Sequence, residues 1–104
     1  RQWWCGRMND VWEWDGKGPW VELKNPEGKQ RWAPRSGFAL AVMDDVLYLI
    51  GGNIPGTPAG DAWSSSDGAE WHVVVKTGQE PWGVRSNHAL VAVGGKHLFL
   101  MGGW

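Results

Sequence analysis

The stretch that decides the fold is WAPRSGFALAVMDDVLYLIGG, residues 32–52, because it recurs in altered form as WGVRSNHALVAVGGKHLFLMGG, residues 82–103. Both copies begin with a tryptophan, continue through an Arg-Ser pair and an Ala-Leu pair, and end in a glycine pair. The offset between matched positions wanders between 50 and 52 residues along the chain, as single-residue insertions in turns would produce. The sequence therefore predicts repeated copies of one structural unit.

The repeat also extends outward from this stretch into its flanking segments. Residues at equivalent places in a repeat serve equivalent packing roles, so we predict that the matched tryptophans pack between neighbouring units and that each matched glycine pair ends a strand. The residues that define the structural repeat are Trp12 and Trp63, Trp20 and Trp71, Trp32 and Trp82, Arg35 and Arg85, Gly51 and Gly102, and Gly52 and Gly103.

Polar residues recur at the same offset. Arg35 and Arg85 are predicted to tie the loops of the repeated units together through backbone carbonyls and acidic side chains. Two sets of acidic partners fit the repeat, and spacing alone does not choose between them: Asp10 and Asp61, or Asp15 and Asp67. The second set is also followed by glycine, which favours a turn in which the aspartate binds its own backbone.

Between these landmarks the chain has the pattern of strands. Apolar runs at residues 38–43 and 46–50 are split by Asp44-Asp45, and runs at 88–93 and 97–101 are split by Gly94-Gly95-Lys96. Two such runs around a polar or glycine turn predict a hairpin. A third hairpin is predicted from residues 61–65 and 71–75 around Ser66-Asp67-Gly68. No window has a helical period, so we predict an all-β chain with four antiparallel strands in each unit.

A repeat of about 50 residues with four strands is typical of Kelch blades. Residues 34–40 and 47–52, followed by Asp61-Ala62-Trp63 and Trp71, resemble a Kelch motif, and the resemblance covers nearly all of residues 10–104. The resemblance implies a fragment of a Kelch-type β-propeller built from four-stranded antiparallel blades.

In this register the chain holds about two blade-equivalents. Residues 10–24 are the outer half of one blade, residues 32–76 one complete blade, and residues 82–103 the inner half of a third, while residues 1–9 form an irregular N-terminal segment. The resemblance implies that the blade boundaries fall within the chain as in a ring-closing unit, in which strands from two chain ends combine in one blade. Propellers contain about four to eight blades, so we expect protein partners or further copies of the chain to complete the ring.

The composition of the chain limits the classes of function that fit it. The 104 residues contain 10 Lys and Arg against 11 Asp and Glu, so no basic surface favours nucleic acid. The longest apolar runs are too short to span a bilayer, and the first residues lack a signal-peptide layout. We expect a soluble chain and leave its compartment open.

The sequence contains no pattern that predicts catalysis or metal binding. His72, His88 and His97 do not have a metal-ligand spacing, and Cys5 is the only cysteine, so we expect no metal, no cofactor and no enzyme activity. The chain is predicted to be a non-catalytic interaction or scaffold element within a larger assembly. The alternatives are an excerpt of a Kelch-type enzyme and a carbohydrate-binding propeller.

Two groups of residues are the candidate partner contacts. One is a predicted loop at residues 53–60, because connections on rigid scaffolds often carry recognition and prolines limit the entropy lost on binding. The other consists of tryptophans that fall outside the repeat. The candidates are Ile54, Pro55, Thr57, Pro58, Trp3, Trp4, Trp14 and Trp104.

Overall fold

The structure is a computed structural model that describes residues 8–55 and 57–104. The strands are β1 Val11–Glu13, β2 Val21–Leu23, β3 Ala39–Met43, β4 Val46–Ile54, β5 Thr57–Ser65, β6 His72–Val75, β7 Ala89–Val93 and β8 His97–Met101. Neighbouring strands are antiparallel in every sheet, and neither described range contains a helix. The prediction of an all-β, antiparallel chain is therefore confirmed. Accordingly, no helix in the described residues is able to span a membrane.

The strands form three sheets of two, four and two strands, with orders β1-β2, β3-β4-β5-β6 and β7-β8. The hairpins that flank the glycine pairs have the same register. Ala39 pairs with Ile50 in the middle sheet, and Ala89 pairs with Met101 in the third. The matched sequences at residues 32–52 and 82–103 thus fold into matched hairpins.

The middle sheet is packed between the other two. On one face Ile50 and Ala62 form a cluster with Leu90 of the third sheet. On the opposite face Leu49 packs with Trp71, and Val11 of the first sheet lies against them. Because successive side chains of a strand point to opposite faces, β4 supplies its neighbouring residues to two different hydrophobic clusters.

The predicted loop at residues 53–60 is mostly strand. We expected the strands to stop at Ile50 and resume at Asp61, but the pairing of β4 with β5 continues to Ile54 and Thr57. The physical reason is the glycine pair, whose positive φ angles of 73° and 107° accompany a register shift between Ile50 and Gly52. Such an irregularity lets a ladder change direction and continue, so among the described residues of this segment only Pro55 lies in a turn.

The predicted aspartate turns are confirmed. Asp15 accepts hydrogen bonds from the backbone amides of Lys17 and Gly18, and Asp67 accepts them from Ala69 and Glu70. These backbone bonds, from Gly18 and Glu70 foremost, lower the pKa of both carboxyl groups. The two aspartates therefore serve the local fold.

Candidate interaction site

A buried ion pair connects the first residues of the unit to its third strand. The guanidinium of Arg35 donates from Nη1 to Oδ1 of Asp61 at 2.7 Å and from Nη2 to Oδ2 at 3.1 Å. Arg35 also donates to the carbonyl oxygens of Ala33 and Gly51, and Asp61 accepts a bond from Trp63 Nε1 at 2.8 Å. Of the two sets of acidic partners that the sequence left open, the structure pairs Arg35 with Asp61.

The surroundings of Asp61 act on its pKa in opposite directions. Burial alone raises the pKa of this carboxyl group, whereas the hydrogen bonds from Arg35 and Trp63 and the arginine charge lower it. The net result is a pKa below the ordinary value. Asp61 is therefore held as a carboxylate with both oxygens occupied, and it is not available as a general base.

Arg85 has the same position in the next hairpin but only part of these contacts. Its guanidinium donates to the carbonyl oxygens of Gly102 and Trp82, while its buried Nε has no partner. Among the described residues no carboxylate lies within ion-pair distance of Arg85. Arg85 therefore binds the glycine pair as Arg35 does, without an ion pair among the described residues.

Asp10 has the complementary set of contacts. It is exposed and accepts a bond from Trp12 Nε1 at 2.8 Å, as Asp61 does from Trp63. Within residues 8–55 and 57–104, Asp10 forms no ion pair. Asp10 therefore shares with Asp61 the bond from the following indole but not the bonds from an arginine.

Two strands have a free hydrogen-bonding edge where their counterparts in the middle sheet are paired. In the middle sheet β4 and β5 pair with each other. Their counterparts by the repeat are β8 and β1, and in the described structure neither strand pairs with anything on the corresponding side. We refer to these as the β8 edge, at His97–Met101 away from β7, and the β1 edge, at Val11–Glu13 away from β2.

Large apolar side chains are exposed beside both free edges. The β7-β8 face consists of Val91, Val93, Phe99 and Met101. The β1-β2 face consists of Trp12, Trp14 and Trp20, which are between 50% and 60% exposed. Exposed apolar side chains that form a large contiguous patch are characteristic of interaction surfaces, so these two faces are candidates for one.

The middle sheet has a groove next to each half-sheet. The β3 groove, of about 260 Å³, lies between the first and middle sheets and is lined by Phe38, Leu40 and Trp32 among others. The Trp82 groove, of about 270 Å³, lies between the middle and third sheets and is lined by Tyr48, Val74 and Trp82 among others. Both grooves are almost entirely apolar, which suits protein side chains better than a charged ligand.

The candidate contacts from the sequence occupy different environments. Trp3 and Trp4 lie outside the described residues. Trp104 is 85% exposed, and Trp14 is stacked on Trp20 with ring centroids 5.7 Å apart. At the turn between β4 and β5, Pro55, Thr57 and Pro58 are exposed and Ile54 is partly buried. No hydrogen bond, ring contact or groove joins the described candidates at this turn to Trp14 or Trp104.

The repeated tryptophans differ in burial. Trp71 is 5% exposed and meets Trp32 edge to face at 4.6 Å, whereas its counterpart Trp20 is 60% exposed. Trp63 also packs against Trp32, at 6.2 Å, whereas its counterpart Trp12 is 50% exposed. The tryptophans of the middle sheet are packed, while those of the first sheet are left on the surface.

Sequence reasoning missed Arg31, which fastens the first sheet to the middle one. Its guanidinium donates to the carbonyl oxygens of Asn9, Leu23 and Ala69 and lies 5.5 Å from the Trp32 ring. No repeat signal marked this arginine, because the equivalent residue before Trp82 is a proline. The adjacent tryptophan was the only available sign, since arginine commonly stacks on aromatic rings.

The described residues contain no group of three histidine, cysteine, aspartate or glutamate side chains able to hold a metal ion. His88 is enclosed near Gly51 and Arg85, and burial lowers its pKa, with the Arg85 charge acting in the same direction.

The chain matches no protein-family model, and no curated protein is similar to it in sequence.

Proposed function

We propose that the chain is a non-catalytic element of a Kelch-type β-propeller, and that it acts by holding protein chains together in a larger assembly. The observation that carries this proposal is the position of the middle sheet, which has a half-sheet packed on each face. Sheets that stack face to face, each burying its neighbour's apolar residues, are the organisation of a propeller.

The use of the polar residues supports a structural role over a catalytic one. Arg35, Asp61 and Asp67 are polar side chains of the repeat, and each forms hydrogen bonds within the fold. A nucleophile and a base need to lie within reach of each other and of a substrate. These side chains instead fix strands and turns, which is the chemistry of a scaffold.

The exposed surfaces support assembly with protein. A strand edge offers backbone donors and acceptors to a further strand, and the apolar β7-β8 and β1-β2 faces lie directly beside the two free edges. Buried against a partner, this apolar surface contributes about 25 cal/mol for each Å² removed from water. An assembly element of this kind gains stability from its neighbours.

The turn between β4 and β5 is the proposed contact for partners outside the ring. A photo-crosslinking amino acid at Pro58 tests this, with the same residue at Glu27 as a matched control, because both side chains are exposed at turns or strand ends. In the cells that make the protein, we expect one recurring protein adduct at Pro58 that is absent at Glu27. No adduct at Pro58, or the same adducts at both positions, would contradict the proposal.

A second candidate function is carbohydrate binding, favoured by the stacked pair of Trp14 and Trp20. The two rings are nearly parallel at 18° and remain more than half exposed, so one ring face is available to a sugar. A glycan array is the appropriate test. Binding that disappears in Trp14→Ala but survives in Trp104→Ala would support this function, and no binding to any glycan would exclude it.

A further inference from the structure

We propose that His88 is a pH-sensitive switch at the contact between the middle and third sheets, and that its protonation releases the β7-β8 hairpin from a middle sheet that stays folded. The atoms concerned are already enclosed by described residues, so no further strand or chain has to complete the site. Control of this contact goes beyond the proposed function, which requires only that the sheets pack together.

The His88 side chain is in close contact with a glycine of the middle sheet and a glycine that follows its own hairpin. An added Cβ at Gly51 of β4 would lie 2.6 Å from Cε1 and 3.1 Å from Nε2 of the ring. An added Cβ at Gly103 would lie 2.8 Å from Cβ of His88. Because protein interiors are close-packed, a ring enclosed in this way depends on how closely the two sheets approach each other.

Both ring nitrogens of His88 are enclosed without a hydrogen-bond partner. Nδ1 and Nε2 are buried, and no described residue donates to them or accepts from them. A neutral imidazole has one N–H donor and a protonated imidazole has two. A buried donor without an acceptor is unfavourable, and more so when it is charged. Protonation therefore adds both a donor and a charge at a place that satisfies neither.

The groups on the segment that carries His88 also disfavour the added charge. Burial is the main cause that lowers the pKa of His88, and the positive charge of Arg85 acts in the same direction. The backbone of Ile50, on the facing strand, favours the protonated ring but is outweighed. Lys96 and His97 are the only other titratable residues of the hairpin, and they lie at its far end.

The groups on the middle sheet supply no free carboxylate to the ring. Arg35 binds the carbonyl oxygen of Gly51 and both oxygens of Asp61. The side chain of Glu80 lies against β5 and accepts a hydrogen bond from a backbone amide of its own segment. β3 contains no titratable residue, and Tyr48 of β4 packs against the apolar cluster at this contact. A protonated His88 therefore lacks an anion to stabilise it in the closed arrangement.

The bonds that hold the third sheet in place do not themselves respond to pH in this range. Residues 82–87 are joined to the middle sheet and the segment before it by backbone amides, backbone carbonyls and one indole. The bonds run from Trp82 Nε1 to Gly60 O at 2.9 Å, from Arg85 N to Ala59 O at 3.0 Å, from Gly52 N to Arg85 O at 2.9 Å and from Asn87 N to Gly37 O at 2.7 Å. His88 comes directly between this segment and β7, so displacement of its ring acts on the start of the hairpin.

Hydrogen–deuterium exchange of the full chain at pH 7 and pH 5.5 tests the switch, after correction for the intrinsic effect of pH on exchange. A released ring titrates near the ordinary histidine value, so the equilibrium constant for opening of β7 and β8 is expected to rise by up to about eightfold over this range. The internal control is β1-β2, which packs on the opposite face of the middle sheet. Its protection, and that of the middle sheet, is expected to stay unchanged.

Two variants assign the effect to one ring. His88→Gln is expected to abolish the rise in exchange of β7 and β8, because glutamine does not titrate. His97→Gln, on the same hairpin but at an exposed position, is the matched control and is expected to retain it. A rise that persists in His88→Gln would overturn the inference.

A titration of the wild-type chain by NMR avoids any loss of folding in the variants. The Cε1 proton of His88 and the methyl protons of Leu90, which packs on the middle sheet, are expected to change with one common midpoint. Different midpoints would overturn the coupling between protonation and release. Equal loss of protection in all three sheets would also overturn the inference, because acid would then unfold the whole chain and not free one hairpin.

Discussion

Asp61 accepts two hydrogen bonds from Arg35, which precedes it by 26 residues in the sequence, and both side chains are less than 10% exposed. This contact joins the segment before β3 to β5 and lies next to the glycine pair, whose first carbonyl oxygen Arg35 also binds. A buried pair with both oxygens occupied fixes geometry strongly, because removing either partner leaves a charge without compensation.

The first prediction concerns this pair. Asp61→Leu and Arg35→Met are each expected to lower the free energy of unfolding by about 3–5 kcal/mol, because each leaves the other charge buried and unpaired. The double variant is expected to lose less than the sum of the two. Denaturant unfolding at one fixed chain concentration provides the cycle.

The loose pair between Lys24 and Glu22 is the control for this cycle. Its atoms are 3.9 Å apart and well exposed, so Glu22→Ala is expected to cost less than about 1 kcal/mol. Additive losses at Arg35 and Asp61 would show that the two side chains act independently, against the geometry of the pair.

The second prediction concerns Gly51, where the backbone and the available space both require glycine. Its φ is 73°, and an added Cβ would lie 2.6 Å from the His88 ring and 2.7 Å from the Arg85 carbonyl oxygen. Gly51→Ala is therefore expected to combine about 1–2 kcal/mol of backbone strain with about 1–3 kcal/mol of overpacking. Thermal unfolding measures the combined loss.

Gly94→Ala is the matched control, because Gly94 has a similar φ of 65° and open space around the Cβ position. It is expected to show the backbone strain alone. Equal losses at the two positions would mean that contact between the middle and third sheets does not restrict Gly51.

By the same reasoning Gly52→Val is expected to lower the free energy of unfolding far more than Pro58→Ala. A Cβ added at Gly52 would lie 2.8 Å from the Ser36 carbonyl oxygen.

The hairpins and turns were predictable from sequence because they depend on local patterns. The glycine pairs, the polar turns and the aspartates that bind their own backbone all act within a few residues. The repeat then marked Arg35 and two possible acidic partners, Asp61 and Asp67, at the same offset as their counterparts, and only the structure chose Asp61.

Other features depend on contacts that no local pattern records. The continuation of β4 and β5 to Ile54 and Thr57 follows from the irregularity at the glycine pair, which the sequence marked only as a possible end of the strand. Arg31 has no counterpart in the repeat, so its bonds between the first and middle sheets were not foreseen. The exposure of Trp12 and Trp20 reflects which neighbouring strands are present, whereas the repeat specifies only which residues are equivalent.

The third prediction concerns the pH dependence of stability through His88. Burial lowers the pKa of His88 in the folded chain, while in the unfolded chain the group titrates near its ordinary value of about 6.5. The unfolded state therefore binds more protons once the pH falls below about 6.5, and stability that is fully present above this pH is lost as the pH falls toward the folded pKa.

Replacement of His88 by glutamine removes this titration. We expect the melting temperature of His88→Gln to change less between pH 7 and pH 5.5 than that of the wild type. The free energy of unfolding of the two proteins differs in its pH dependence by at most about 1.4 kcal/mol per pH unit, which is the limit for one proton. His97→Gln, at an exposed position of β8, is expected to retain the wild-type slope. A weaker dependence of melting temperature on pH in His97→Gln, without the same change in His88→Gln, would contradict the prediction. The acid sensitivity would then come from β8, which contains His97, and not from the enclosed His88 ring beside Gly51.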